Sequence, residues 1–478
     1  MKNRSNNKLN VGLFGIGLNT YWDQFDGLLD NLLKHIKFVE SKLKSYNIDI
    51  VNRGMIDSSE KALDAGHEFR RADVDIIFIY ATTYALSHTV LPVVQKAKVP
   101  VIILNLAPDK SIDYDSFNKL NDRTLMTGKW LEFCSACPVP EIANVFQRTG
   151  INFYQVTGYL KEKYVWEEIE EWIDAAKVKK IMSDNRVGLM GHYYSGMLDI
   201  YTDITNQIAH FGNHFEILEV DELSVLRAQV SEDEIEKRVT LFYNSFDIQK
   251  DCSAIELRRS AKTSVALDML INKHKLGALA YYYMGIGNAE NEETISSIIL
   301  GNSLLTEKGV PVAGEYEIKN VQAMKIMDSF GAGGSFTEYY AIDFENDVVL
   351  MGHDGPGHIK ISEGRTKVKP LQVYHGKVGS GLSVEMSVKH GPVTLLSLAE
   401  SNQGKLKLVY AHGASVQGAI LEIGNTNSRY KFSIGARKFV ETWNNSGSAH
   451  HCAVGLGHIG PKLKKLAQLL DMEIVQIC

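Results

Sequence analysis

The hydrophobic pattern of this chain changes its period at Gly331. Before that point, short β-branched runs at residues 9–17, 48–51, 76–80 and 101–104 are separated by helical stretches at about 21–46, 58–72 and 89–96. A helical region around 130–149 and an acidic helix near Trp166 follow. The same style then returns in runs at 187–191, 215–220 and 278–283, with long helices at 231–243 and 260–274 and a last one from near Glu317 to just before Gly331. Strands alternating with helices predict parallel sheets covered on both faces, because a parallel connection must cross over the sheet and a helix is the usual crossover. Beyond Gly331 the runs at 339–344, 348–351, 371–374, 382–388, 393–397, 405–411 and 429–434 are short and often alternating, punctuated by Gly, Asn-Asp and Glu-Gly turns. That texture predicts an antiparallel barrel or sandwich. A helix at 461–470 and a strand at 473–477 follow it. A chain of 478 residues exceeds what one core ordinarily serves, so two or three domains are expected.

Composition narrows the function classes. A net charge of −6 without a long basic run argues against a nucleic-acid partner. The polar start, Met1 to Lys8, leads into a strand without an apolar h-region, so no secretory signal is expected and a cytoplasmic location is the simplest expectation. The longest near-apolar run, 76–86, falls short of the about 20 residues a bilayer demands, so no membrane span is expected. Five cysteines do not describe a disulfide framework, and Cys134 and Cys137, with no second CxxC and Pro138 next in line, are expected to be reduced thiols near a helix start. Gly15 and Gly17 resemble half of a dinucleotide loop. Thr20 stands where its third glycine would be, and Asn52-Arg53-Gly54 replaces the acid at the second strand, so a small βα loop able to lie near a ligand is the better reading.

Chemistry-bearing residues concentrate at turn-like glycines in the later part of the chain. Gly314-Glu315-Tyr316-Glu317, the stretch from Gly331 to Glu338, and Gly352-His353-Asp354 offer carboxylates and an imidazole, and Ala449-His450-His451-Cys452 supplies more imidazole from far along the chain. Ionised carboxylates and neutral imidazoles are the Lewis bases a divalent metal needs, and glycines free the backbone to aim them.

These four motifs, in this order, resemble the metal-site motifs of L-arabinose isomerase, in the wider group that includes L-fucose isomerase, over about residues 300–478. The resemblance implies two doubly wound parallel-sheet domains, residues 1–180 and 181–328, followed by an antiparallel β-barrel domain, residues 329–478. It implies Glu315, Glu338, His353 and His451 as metal ligands, with Glu315 and Glu338 also the catalytic acid/base pair of an aldose–ketose isomerase. Mn²⁺ is the first expectation for the ion, with Co²⁺, Fe²⁺ or Mg²⁺ alternatives. His450 would sit beside the metal and contact substrate, and Phe336 would line the pocket. Glu317 reads as a helix-start carboxylate favouring the dipole. His358, His375, His390, His412 and His458 have no counterpart and read as structural.

The likeness departs at the sugar-recognition loops. Where arabinose isomerases carry Gly-Ser-Gln-His-Leu-Tyr-Gly, this chain has Gly15 to Trp22, and where they carry His-Gly-Gly-Arg-Glu it has Cys134 to Glu141. The residues that recognise the sugar hydroxyls are therefore changed, and the substrate expected is a pentose, deoxyhexose or modified sugar, with L-arabinose no longer specified. In the family the first domain of one chain completes its neighbour's pocket, so Asn19, Tyr21 and Trp22 would meet the sugar in trans within a homotrimer or homohexamer. Two other readings compete: a non-catalytic sugar-binding protein, and a metal-dependent hydrolase or lyase on the same scaffold.

Overall fold

The computed structural model describes residues 8–285, 287–374, 377–378 and 380–478 and separates into two compact units, residues 1–180 and 181–478. In the first unit five parallel strands, β1 (Asn10–Ile16), β2 (Asp49–Ile56), β3 (Ile76–Tyr80), β4 (Val101–Ala107) and β5 (Phe153–Tyr159), lie in the order β2-β1-β3-β4-β5. Every residue of β3 is buried, as expected of a strand with helices on both faces. The first helix, Leu28–Lys44, begins later than the sequence suggests. Asn19–Tyr21 first makes a 3₁₀ turn, and Gly27 enters the helix from a left-handed φ of 75°. β5 was not foreseen, because only Val156 within it is fully buried and an edge strand of mixed polarity carries little hydrophobic signal. The thiol expectation is corrected: Cys134 and Cys137 form a disulfide. The turn between the helices Arg123–Glu132 and Val139–Arg148 brings their Cα atoms to 5.4 Å, inside the range a bridge requires, which residue spacing alone does not reveal.

The second unit opens with another parallel sheet, β6 (Arg186–Gly191), β7 (His214–Leu218), β9 (Ala278–Tyr282) and β10 (Val312–Ala313), in the order β10-β9-β6-β7, while β8 (Asp247–Ile248) leaves it to pair elsewhere. Its helices start where the sequence supplies caps. Ser231 and Glu234 form a reciprocal capping box for Glu232–Ser245, and Ser253 accepts from the Glu256 amide at the head of Ala254–His274. Leu257, Ala261, Leu267 and Leu270 of the latter helix join Leu304, Leu279 and Met190 in the core of this layer.

The chain then builds a closed antiparallel barrel from β11 (Ser335–Asp343), β12 (Val348–His353), β17 (Gly391–Glu400), β18 (Leu406–Val416), β19 (Thr426–Phe432) and β20 (Cys452–Leu456). The order is β17-β20-β11-β12-β19-β18, and the β17–β18 ladder closes the ring. β21 (Glu473–Gln476) adds to β18 in parallel. Between β12 and β17, β13 (Lys367–Pro370) joins β8 and β16 (Leu382–Glu385), and β14 (Val373–Tyr374) pairs with β15 (Lys377–Val378). The helix Ile318–Ser329 leads from the sheet layer into the barrel and packs on β17 and β20. A second helix, Ala436–Asn445, buries Ala436, Phe439 and Trp443, spaced for one helical face, with the Phe439 ring stacked on Phe432. No helix among the described residues is long and apolar enough to cross a membrane.

Candidate metal centre

Glu315 stands two residues beyond β10, at the C-terminal edge of the second sheet, where open parallel sheets present their ligand sites. Its turn is unusual. Glu315 and Tyr316 have φ of 58° and 61°, and the Glu317 amide donates to the Gly314 carbonyl at 3.0 Å, which closes a turn with positive φ at both central positions. Non-glycine residues held left-handed cost on the order of 1–3 kcal/mol each, so surrounding contacts must impose them. The Tyr316 amide donates to Tyr281 O at 3.0 Å, and Glu315 O accepts from the Tyr194 amide at 3.3 Å. The turn feeds the helix Ile318–Ser329, whose cap is Glu317: its Oε1 accepts from the Lys319 and Asn320 amides at 3.2 and 3.4 Å.

The other donors come from one end of the barrel. Thr337 pairs with Cys452 across β11 and β20, so continuing the antiparallel register by one residue sets Glu338 opposite His451. On its other side Glu338 pairs with Gly352 of β12, next to His353. Three adjacent strands thus deliver a carboxylate and two imidazoles to one place. Gly352 is required there, since a Cβ would lie 2.0 Å from Thr426 O on the neighbouring β19.

His451 is the hub of the arrangement. Its Nε2 lies 3.0 Å from Glu315 Oε2 and 3.9 Å from Glu338 Oε2, and its Nδ1 lies 3.3 Å from Oε2 of Glu317, which is itself wholly buried. One donor atom from each of Glu338, His353 and His451 falls within 4.8 Å of the others, and Glu315, His450 and His451 form a second such group. Phe336 is buried, with its ring centroid 4.3 Å from that of His353 and 4.5 Å from that of His451, so it forms an apolar wall against both imidazoles.

The electrostatics fit a cation. Burial works against ionising Glu315, yet the hydrogen bond from His451 and the neighbouring imidazoles hold its carboxyl below the usual range. Burial likewise disfavours a charged His451, but Glu315 and Glu317 outweigh it and push the imidazole up to about 9. Burial, with His451 nearby, pushes His353 down. Glu315 Oε2 and His451 Nε2 face each other at 3.0 Å, deep in the site, with no further hydrogen-bond partner on either atom among the described residues. A divalent ion could take the place of the proton between them, and carboxylates with imidazoles are a suitable donor set.

His450 is half-exposed and has its own partner. Its Nδ1 is 2.6 Å from Asp199 Oδ2, its amide donates to the same oxygen at 3.1 Å, and its ring lies 3.7 Å from that of His451. Lys319 donates to Asp199 O, and the imidazole holds the Asp199 carboxyl well below the usual carboxylate range. Sequence reasoning missed Asp199, which lies 251 residues from His450, and read Glu317 only as a helix-start carboxylate favouring the dipole, whereas one oxygen caps the helix and the other faces His451. Asn19, Tyr21 and Trp22 belong to the first unit, in and after the 3₁₀ turn that follows β1, where Trp22 Nε1 donates to Asp57 Oδ2 at 2.8 Å. His358 is buried beside Asp328 at 3.5 Å, His412 stacks on His458, and His390 lies near Glu363, all outside the cluster. His375 lies outside the described residues.

Comparisons bear on the two parts of the chain differently. No curated protein matches it. Solved structures that do match include an ABC transporter solute-binding protein from Burkholderia multivorans, at 13% identity over 61% of this chain and 85% of that one, with a TM-score of 0.16. A periplasmic solute-binding protein from Actinobacillus succinogenes 130z with bound D-allose matches at 12% identity over 64% of this chain and 95% of that one, with a TM-score of 0.18. Superposition that poor carries no argument about fold or ligand. The barrel and its donors are another matter: residues 333–473, which hold Glu338, His353, His450 and His451, match the family model of the L-arabinose isomerase C-terminal domain.

Proposed function

We propose that this protein is a metal-dependent aldose–ketose isomerase acting on a pentose, a deoxyhexose or a modified sugar. The observation that carries the reading is the convergence of Glu315, Glu338, His353 and His451 at the end of a barrel matching the arabinose isomerase domain. These four would hold the ion, Mn²⁺ first, with Co²⁺, Fe²⁺ or Mg²⁺ as alternatives. Moving a proton between adjacent carbons while carbonyl and hydroxyl exchange roles gathers negative charge on oxygen, and a bound divalent cation supplies the Lewis acidity that offsets it.

The chain's own groups do the rest. Glu315 and Glu338 are the pair that gives and takes the proton, in environments that differ: Glu315 is the more buried and lies within reach of His451. Glu317 holds His451 in register through Nδ1, and Asp199 fixes the His450 ring so that its free edge can meet a sugar hydroxyl. Phe336 keeps water from the two imidazoles it covers. A cytoplasmic trimer or hexamer in which Asn19, Tyr21 and Trp22 of a neighbouring chain meet the sugar belongs to the same reading, as does a three-part division at about residues 180 and 328.

A panel of aldoses incubated with the protein and Mn²⁺, assayed for ketose, tests it. Turnover on at least one sugar, abolished in Glu315→Gln and Glu338→Gln, is expected. No ketose from any pentose, deoxyhexose or hexose would reject the reading.

A further inference from the structure

We propose that Cys134 and Cys137 form a reversible thiol–disulfide exchange site that takes a dithiol as its reductant, with Cys137 the sulfur attacked. The two ends of the bridge differ in access: Cys134 is 2% exposed, whereas Cys137 is an exposed residue, as is Ala136 beside it. A bridge of sequence separation 3 closes so short a loop that it restricts the unfolded chain far less than a long one would, so stapling the fold is a poor account of it. The first unit has no third cysteine, since the remaining three, Cys252, Cys452 and Cys478, are free thiols of the second. The disulfide can therefore exchange only with a thiol from outside that unit or with its own pair.

Position gives the exchange a consequence. The bridged turn joins the helices Arg123–Glu132 and Val139–Arg148, and both neighbours of the bridge are tied to the segment that follows β3. Leu131 O accepts from Thr83 Oγ1 at 2.8 Å, and Glu141 Oε1 accepts from the Ser87 amide at 2.9 Å. That segment lies at the C-terminal edge of the first sheet, the edge at which parallel sheets take ligands. Opening the bridge frees the turn from covalent closure while its two anchors remain, so the redox state alters the turn's freedom at that edge of the sheet.

The chemistry balances. One thiolate of the dithiol bonds to Cys137 Sγ, the Cys134–Cys137 bond breaks, and Cys134 leaves as a thiolate that takes a proton. The second thiol of the reductant, deprotonated, then attacks its own partner's sulfur in the mixed disulfide and releases Cys137 as a thiolate one residue before the cap of Val139–Arg148, where the helix N-terminus favours negative charge. Two electrons pass from the dithiol, which becomes the disulfide.

Differential alkylation of the full-length protein with peptide mapping tests this. Expected are no alkylation of Cys134 or Cys137 in the air-oxidised native protein, alkylation of both after native treatment with dithiothreitol or a thioredoxin-class protein, and renewed protection after diamide. Oxidised glutathione should form a lasting adduct at Cys137 in Cys134→Ser and none at Cys134 in Cys137→Ser. A bridge that opens only after denaturation, thiols already free in the oxidised protein, or glutathione capture by Cys134 would each overturn the proposal, and the first two outcomes need no variant.

Discussion

His451 takes its role from carboxylates on both of its nitrogens. Glu315 approaches Nε2 and Glu317 approaches Nδ1 inside a site where His451 is 1% exposed, so the two carboxylates favour the charged imidazole in the metal-free protein. Its pKa is raised in the folded state, from 6.5 to about 9, so the stabilisation is fully present below pH 6.5 and is lost as pH rises through 9. The expected consequence for the metal-free protein is a falling unfolding midpoint between those pH values, worth on the order of 3 kcal/mol. Calorimetry across that range checks it, and a flat profile would mean that the ion pairs do not form. A metal must displace the same proton, so Mn²⁺ affinity should climb by roughly tenfold per pH unit over the same interval. Glu317→Gln keeps a cap acceptor for the Lys319 amide but removes the charge facing Nδ1. Mn²⁺ affinity is expected to drop about 10- to 100-fold with the far-ultraviolet circular dichroism unchanged. An unaltered affinity would reduce Glu317 to a helix cap.

Strand register is what makes residues so distant in sequence into neighbours. The β20-β11-β12 order sets His451, Glu338 and His353 side by side, and the approach of β12 to β19 depends on Gly352. Gly352→Ala should lower stability by a few kcal/mol and weaken metal binding with it, read as a drop in melting temperature and in Mn²⁺ affinity, because its Cβ would meet backbone rather than a yielding side chain. A wild-type melting curve would show that β19 moves aside without cost. The same register explains what the sequence discloses and what it hides. The switch from helix-bearing runs to short alternating ones marks the passage from parallel sheets to barrel, and the four donor motifs can be read in order. β20, however, is a five-residue run directly after two histidines, and the start of β11 at Ser335 lies in a glycine-rich stretch that reads as a turn. Asp199 and the second role of Glu317 depend on contacts spanning 251 and 134 residues, to which no local pattern points.

At the scale of the whole molecule, a site built from β10's trailing turn and three barrel strands couples ligand binding to the folding of the second unit. Mn²⁺ at about a hundred times its dissociation constant should stabilise the protein by about 2.7 kcal/mol and raise the melting temperature by several degrees, an effect that Glu338→Gln removes. Sedimentation tests the assembly: a trimer or hexamer is expected, and a fully active monomer would dismiss the contribution of Asn19, Tyr21 and Trp22 from a neighbouring chain. The most direct test of the central claim is Mn²⁺ titration of the metal-stripped protein by calorimetry, in parallel with His451→Ala and Glu338→Gln. One tightly bound ion per chain in the wild type, weakened at least tenfold in both variants, is the predicted result; no binding to the wild type, or equal binding by all three proteins, would contradict it.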